Sequence, residues 1–351
     1  MENLKNKEIY SLLCKGAQIK NREIVDYNRY LTEICSRSGL DYRTVNTLIK
    51  IIDKEGVEYN DIEKFLSPSF YTLENAISLY KKGFEDVIPA DYFQNEEFIT
   101  KAKVTKIPDG FVENNQKITF FNILPGIQYI GNNAFRNCPE IMINNFPDSI
   151  TYIGHHAFEN NKKIEEINIS SAKYIGVGAF RNNILLRKAI LPSSMHNIEE
   201  NLFEGCVSLE SVTLNKMVAI GDEAFADCIS LKNIDSILIK VGKESFKNCK
   251  SLTKIVLSTS YIDKRAFLNA SKLEDVIFRT YCPSKICKEA FSGCLALKNI
   301  KVNDFVYNLY SMKGYDEISD NIDIVFNSIK GYTSSCEIFT SKSIENISKN
   351  I

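Results

Sequence analysis

The chain has no tryptophan and only three histidines among 351 residues. Its 43 Lys and Arg stand against 44 Asp and Glu, a formal net charge of -1. That balance gives no overall reason to expect a polyanion, nucleic acid or a charged membrane surface as partner. No apolar run approaches the ~18–20 residues needed to span a bilayer. The opening "MENLKNKEIYSLLCKG" is polar from residue 2 and never builds the apolar core of a secretory leader. A cytoplasmic chain without a membrane segment is the expectation. Ten cysteines are too dilute for a small disulfide scaffold. Also missing are H-E-x-x-H, a phosphate-cradling glycine loop, a nucleophile elbow and a dinucleotide fingerprint. His155 and His156 sit where related stretches carry Asn-Asn or Asp-Glu, which reads as solvated turn, and His196 is isolated. No enzyme, cofactor, metal or small-molecule substrate is expected.

What the chain does have is a repeated stretch. "IGNNAFRNC" begins at Ile130 and recurs as "IGHHAFENN" at Ile153, "IGVGAFRNN" at Ile175 and "IEENLFEGC" at Ile198. "IGDEAFADC" at Ile220, "VGKESFKNC" at Val241, "IDKRAFLNA" at Ile262 and "ICKEAFSGC" at Ile286 complete eight copies. Successive starts are 23, 22, 23, 22, 21, 21 and 24 residues apart. Degenerate copies precede them, "IPADYFQN" at Ile88 and "IPDGFVENN" at Ile107. Between copies runs a second pattern, apolar at its first, fourth and sixth places: "IEEINI" from Ile164, "LRKAIL" from Leu186, "LESVTL" from Leu209, "LTKIVL" from Leu252, "LEDVIF" from Leu273 and "LKNIKV" from Leu297. Its second half alternates, the period of a short strand with one buried face.

One such unit cannot bury its own apolar side, whereas stacked units bury a continuous core with each strand parallel to the next. Phe135, Phe158, Phe180, Phe203, Phe225, Phe246, Phe267 and Phe291 are then expected to form an interior spine. The motif's glycine serves where a side chain would clash. Its ninth place, mostly Cys or Asn, suits backbone groups left free at a turn. Glycine beside acids and a thiol is therefore read as architecture, not as a nucleophile.

With its "L-x-x-I-x-L-P … I-G-x-x-A-F-x-x-C" units, residues 85–305 resemble the BspA-like leucine-rich repeats. That resemblance implies an α/β solenoid with a parallel sheet on its concave face, and a role in binding, often at microbial surfaces. The outward strand positions are the expected protein-binding surface: Glu166, Lys188, Ser211, Asn233, Lys254, Asp275 and Asn299 before the fourth apolar slot, and Asn168, Ile190, Thr213, Asp235, Val256, Ile277 and Lys301 after it. Branched apolar side chains beside mixed charge suit a protein partner. A protein-binding adaptor or inhibitor is the leading expectation, and a surface adhesin another.

Residues 1–84 lack the repeat and read as a helical N-terminal domain, with helices near 3–14, 22–37, 41–54, 60–66 and 70–82; Gly83 can stop the last. "LTEICSRSGLDYRTVNTLIKII", Leu31 to Ile52, resembles a helix-turn-helix, with Val45, Leu48 and Ile49 inward and Arg43, Thr44, Asn46, Thr47 and Lys50 free to meet a major groove. Nucleic acid is thus a second possible partner. Charges nearly balance over residues 1–66, however, and a helical cap on the solenoid needs the same apolar spacing. Residues 306–351 lose the repeat and are expected to cap the far end. Cys282, Cys287 and Cys294 are too widely spaced for an ordinary zinc site. Cys206, Cys228 and Cys249 share one slot in successive units, close enough in backbone for a disulfide but pointing the same way; reduced thiols are expected.

Overall fold

The computed structural model describes residues 9, 11–15, 24–38, 45–46, 48–49, 52, 72–83, 88–259, 261–279, 285–287, 289–297, 299–302 and 305–308. Its body is a parallel-strand solenoid of about eight turns, preceded by helices. Each turn contributes to two ladders. One is built from the second pattern of the repeat: Glu166–Asn168, Lys188–Ile190, Ser211–Thr213, Asn233–Val241, Lys254–Leu257, Asp275–Phe278 and Asn299–Val302, all parallel. Phe305–Asn308 closes it antiparallel to Asn299–Val302. The other ladder takes the residues that open the motif. Lys106–Ile107, Tyr129–Ile130, Tyr152–Ile153 and Tyr174–Ile175 pair in order, and it resumes at Asn197–Ile198, Met217–Ile220, Val241, Tyr261–Ile262 and Lys285–Ile286. In most turns a short loop separates the two ladders, with a proline at Pro125, Pro147 and Pro192. The turn from Asn233 to Val241 has no such loop, so one nine-residue strand runs through both and joins them.

The stretch between, which carries the motif, hydrogen-bonds to its neighbour although it is not a strand. The N–H groups of its fourth, sixth and eighth residues donate to the next coil. In one coil these are His156 to the Val177 carbonyl at 2.9 Å, Phe158 to Ala179 at 2.8 Å and Asn160 to Arg181 at 2.9 Å. Aiming alternate N–H groups the same way requires left-handed backbone at the fourth and eighth places. The eighth reads Asn137, Asn160, Asn182, Gly205, Asp227, Asn248, Asn269 and Gly293, with φ between 56° and 75°. Only residue types that tolerate that conformation appear there. Its asparagines also bond side chain to side chain along the axis: Asn137 to Asn114, Asn160 to Asn137 and Asn182 to Asn160 at 2.6–2.9 Å, then Asn269 to Asn248 at 3.0 Å beyond the break at Gly205. At the second place glycine answers a need for space in some coils. A Cβ on Gly154 would lie 2.6 Å from the Asn132 nitrogen, and one on Gly176 2.6 Å from that of His155, so neighbouring backbone would have to shift. Other coils accommodate Glu199, Asp263 and Cys287 there.

All eight expected spine phenylalanines are buried, and their rings follow one another at centroid distances of 5.0–6.0 Å, near parallel from Phe135 to Phe291. The ninth place is also buried, and it does satisfy carbonyls at the turn. The thiols of Cys138, Cys206, Cys228, Cys249 and Cys294 donate to the carbonyls of Val112, Phe180, Phe203, Phe225 and Phe267 at 3.0–3.2 Å. Where the slot is Asn183, its amide donates to Phe158 and Phe180 instead. These cysteines form no disulfide, nor do Cys14, Cys35 and Cys287. Burial pushes the Cys138 thiol up to about 11 and those of Cys206 and Cys294 to about 12, and raises Cys228 and Cys249 as well. A thiol so buried and bonded is a polar filler held protonated, not a nucleophile.

At the N-terminal end the degenerate copy at Ile107 forms a coil, its Phe111 meeting Phe135 edge-on at 5.7 Å. The copy at Ile88 does not: Ala90–Gln94 is a 3-10 turn and Glu96–Ala102 an α-helix. Asn95 supplies the reason, its side chain capping the helix by accepting from the Phe98 N–H at 2.9 Å, with Glu96 and Glu97 in the first turn. Phe93 keeps its buried place against Phe111 at 4.9 Å, and Tyr80, Tyr92, Phe93 and Phe98 meet edge-on over that end of the spine. Among the expected helices, Ile24–Ser38 and Leu73–Lys81 are present, the second capped by Thr72 and ended by Gly83 at φ 80°. The segments 60–66 and 309–351 lie outside the described residues.

The spine makes one coil depend on both neighbours. Phe225→Ala should lower the free energy of unfolding by about 3–5 kcal/mol, read in urea melts; a loss under 1 kcal/mol would contradict the stacked core. The thiols set an alkaline limit. Their folded pKa values exceed the unfolded value of about 8.5, so above that pH the unfolded chain has released protons the folded one still holds. The stability they contribute is complete below about pH 8.5 and falls by about 1.4 kcal/mol per thiol per pH unit as pH rises toward the folded values. Melts between pH 7.5 and 10 should therefore fall less steeply for Cys206→Ala/Cys228→Ala/Cys249→Ala than for the natural chain. Equal slopes would exclude this origin.

Candidate binding surface

Strand alternation sends every second residue of the longer ladder outward. Ile167, Ala189, Val212, Ile255 and Val276 are buried, and the residues flanking them form two rows. In the first, Glu166 faces Lys188, then Ser211, Asn233, Lys254, Asp275 and Asn299 in register. In the second, Asn168 faces Ile190 and Ile190 faces Thr213, and further along Val256 faces Ile277 and Ile277 faces Lys301. Glu166, Asn168, Lys188, Ser211, Thr213, Asn233, Asp235 and Lys254 are exposed, while Ile190, Val256, Asp275 and Ile277 are half-buried. For Asn299 and Lys301 only the backbone lies within the described residues. The structure thus brings the expected surface residues together on one sheet face.

The register departs from expectation at Asp235. Two extra residues bulge between Asn233 and Ile237, so Ile237, not Asp235, stands opposite Val256. Ile237 also stands opposite Met217, which is 46% exposed. The cause is the missing loop: the strand from Asn233 must shift between ladders and takes up the mismatch as a bulge. A reading of repeat positions could not find Met217 or Ile237, because it assumes the same count in each coil. The exposed pair Phe120 and Met142, joined by a lone parallel bridge, was missed for a similar reason at the irregular early coils.

The shorter ladder carries a second feature. Tyr129, Tyr152 and Tyr174 stack at 4.2 and 4.8 Å, with the Lys106 ammonium 4.9 Å from the first ring. Burial, then the neighbouring Tyr152 hydroxyl, pushes the Tyr129 phenol up to about 12. The recurring "YIG" was the available signal. On the motif's side, Glu113, Arg136, Glu159, Arg181 and Glu204 alternate in charge along the axis. Arg136 lies 2.7 Å from Glu159 and 3.7 Å from Glu113, and Arg181 2.8 Å from Glu204 and 3.8 Å from Glu159. Burial raises the Glu113 carboxyl despite Arg136 beside it. Lys247, 2.7 Å from Glu244, holds that carboxyl low. From Glu113 to Glu204 each charge faces its opposite across coils, an arrangement that fixes neighbouring turns.

Among the described residues the three histidines have local partners. His155 accepts from the Val177 N–H at 3.1 Å and meets the Tyr174 hydroxyl at 3.2 Å; His156 lies 3.2 Å from Glu159, and His196 bonds the Ser194 carbonyl at 2.7 Å. Among the described residues no group of three His, Cys, Asp or Glu could hold a metal ion, and no helix is long and apolar enough to cross a membrane. Of the groove-facing set in the N-terminal segment, Arg43, Thr44, Thr47 and Lys50 lie outside the described residues. Asn46 is helical and half-buried, beside the buried Val45, Leu48 and Ile49. That burial is common to a helix-turn-helix and to a cap.

A family model for the BspA-type leucine-rich repeat region matches six copies, over residues 105–232 and 196–315. Solved structures similar to the chain include a leucine-rich repeat protein from Bacteroides ovatus, 24% identical over 57% of this chain and 78% of that one, with a TM-score of 0.33. A leucine-rich cell surface protein from Faecalibacterium prausnitzii is 21% identical over 57% and 83%, with a TM-score of 0.36. A leucine-rich repeat protein from T. pallidum is 25% identical over 36% and 72%, with a TM-score of 0.31. No curated protein matches the chain. The family model spans more than half of the sequence, and its copies coincide with coils that stack on phenylalanine and close on Asn, Asp or Gly: the chain belongs to the BspA-type leucine-rich repeat family.

Proposed function

We propose that the chain is a non-catalytic binding module that lays the outward rows of its longer ladder against another protein, as an adaptor or inhibitor. The observation that carries this reading is the lateral register of those rows, continuous in the first from Glu166 to Asn299 and interrupted in the second at the bulge beside Asp235. Side chains far apart in sequence stand one coil apart on a rigid sheet, a pre-organised surface that loses little freedom on binding. The surface mixes charge with half-buried Ile190, Val256 and Ile277, a composition that suits protein more than polyanion. Within the motif, Cys206, Cys228 and Cys249 lie inside, Glu159 and Glu204 lie against arginines, and His155 accepts from a turn N–H. An adaptor, an inhibitor and a surface adhesin share this mode and differ in where the partner is met.

The test uses the full chain on beads, exposed to extract of the native cell, beside an Ile190→Ala/Val256→Ala/Ile277→Ala variant. Proteins enriched on the natural chain should be reduced at least tenfold on the variant, while circular dichroism is unchanged. The same protein set captured equally by both would refute the strand face as the binding surface.

A further inference from the structure

The bulged strand turns the second outward row into a stripe of one chemistry. Met217 faces Ile237, Ile237 faces Val256, and Val256 faces Ile277, across four consecutive coils. Between them Val218, Leu238, Ile255, Leu257, Val276 and Phe278 are buried, which fixes the four as outward. Ile239, 37% exposed, widens the stripe where the strand bulges again. Its two flanks differ in charge. Toward the first row lie Lys216 and Lys254 with Asp235 and Asp275. Toward the shorter ladder lie Lys240 and Arg279, both exposed, with Ser258 and Tyr261 and, among the described residues, a single acid, Asp263 beside Tyr261. None of Lys216, Lys240, Lys254 and Arg279 has an ion pair among the described residues.

The spacing selects the shape of what fits. Met217, Ile237, Val256 and Ile277 stand on neighbouring parallel strands and so recur at about 4.8 Å. An α-helix lying along the solenoid axis presents one apolar side chain per turn of about 5.4 Å and stays within about 2 Å of step over the four coils. An extended segment repeats on one face every ~6.7 Å and falls out of step within two coils. We propose that the stripe Met217–Ile237–Val256–Ile277 receives an amphipathic helix of a partner protein, whose apolar face covers the stripe and whose acidic flank lies toward Lys240 and Arg279. A like-charged flank would be repelled there, so the charge orients the helix as well as holding it. This rests on the strand face being the binding surface, and it adds the partner's fold and charge.

The probe is a library of random 16-residue peptides displayed on phage, selected on the immobilised full chain. Enriched peptides should carry apolar residues at helical spacing and Asp or Glu beside them. A synthetic copy should bind at least tenfold more weakly to Lys240→Glu/Arg279→Glu in 50 mM NaCl, with the difference shrinking in 500 mM. Met217→Asp and Ile237→Asp should each abolish binding with the dichroism spectrum unchanged. Peptides that are basic, or apolar at every second residue, or unaffected by the charge reversal would overturn the proposal, as would a library with no enrichment. If affinity drops for Ile190→Ala/Val256→Ala/Ile277→Ala but not for the charge reversal, the acidic helix fails and the strand face stands. If neither variant loses affinity, the strand face itself fails.

Discussion

From Phe135 to Phe291 each ring lies on the ring of the coil before it, and the backbone around each ring donates hydrogen bonds to the next coil. This contact at about one strand spacing is the constraint to which the rest of the molecule answers. It forbids a Cβ at Gly154 and Gly176, demands left-handed backbone at Asn160 and Asn182, and leaves carbonyls inside that Cys206, Cys228 and Cys249 must satisfy. The opening glycine, the asparagine and the cysteine of the motif answer three consequences of one packing distance. A structure built this way rests on contacts about one repeat apart in sequence, since each coil meets mainly its neighbours.

The same distance organises the surface. Whatever the strands present outward is repeated at the coil interval, so rows of side chains arise without any loop to hold them. Charge rows stabilise the stack where opposite signs alternate, as from Glu113 to Glu204. Partly exposed pairs of this kind contribute little each, but a chain of them restrains several coils together. Aromatic rows do the same at Tyr129, Tyr152 and Tyr174. From Met217 to Ile277 the row is apolar, and it is this row that is proposed to receive a partner's helix.

Much of this was legible beforehand, for a stated reason. Eight copies at a near-constant interval average out the ambiguity of any single stretch, so the spine, the strands and the outward rows could be assigned by position alone. Legibility failed where the count per coil changed. At Ile88 the phenylalanine stayed in place, but Asn95 and its acidic followers made a capped helix instead of a coil. At Asn233 the loss of a loop merged two ladders and moved Ile237 into the row assigned to Asp235. The position-eight asparagines show a subtler limit. Their identity was plain, yet the left-handed turn that requires Asn, Asp or Gly becomes evident only from the torsion angles.

The sequence by itself determined that the chain stacks, which residues lie inside, and the interval at which the coils recur, because burial and turn chemistry are local and repeated in every unit. The tertiary structure decided which outward residues become neighbours. Lateral register follows from how a bulge and a missing loop are absorbed between coils, a balance of packing over several turns that no single repeat records.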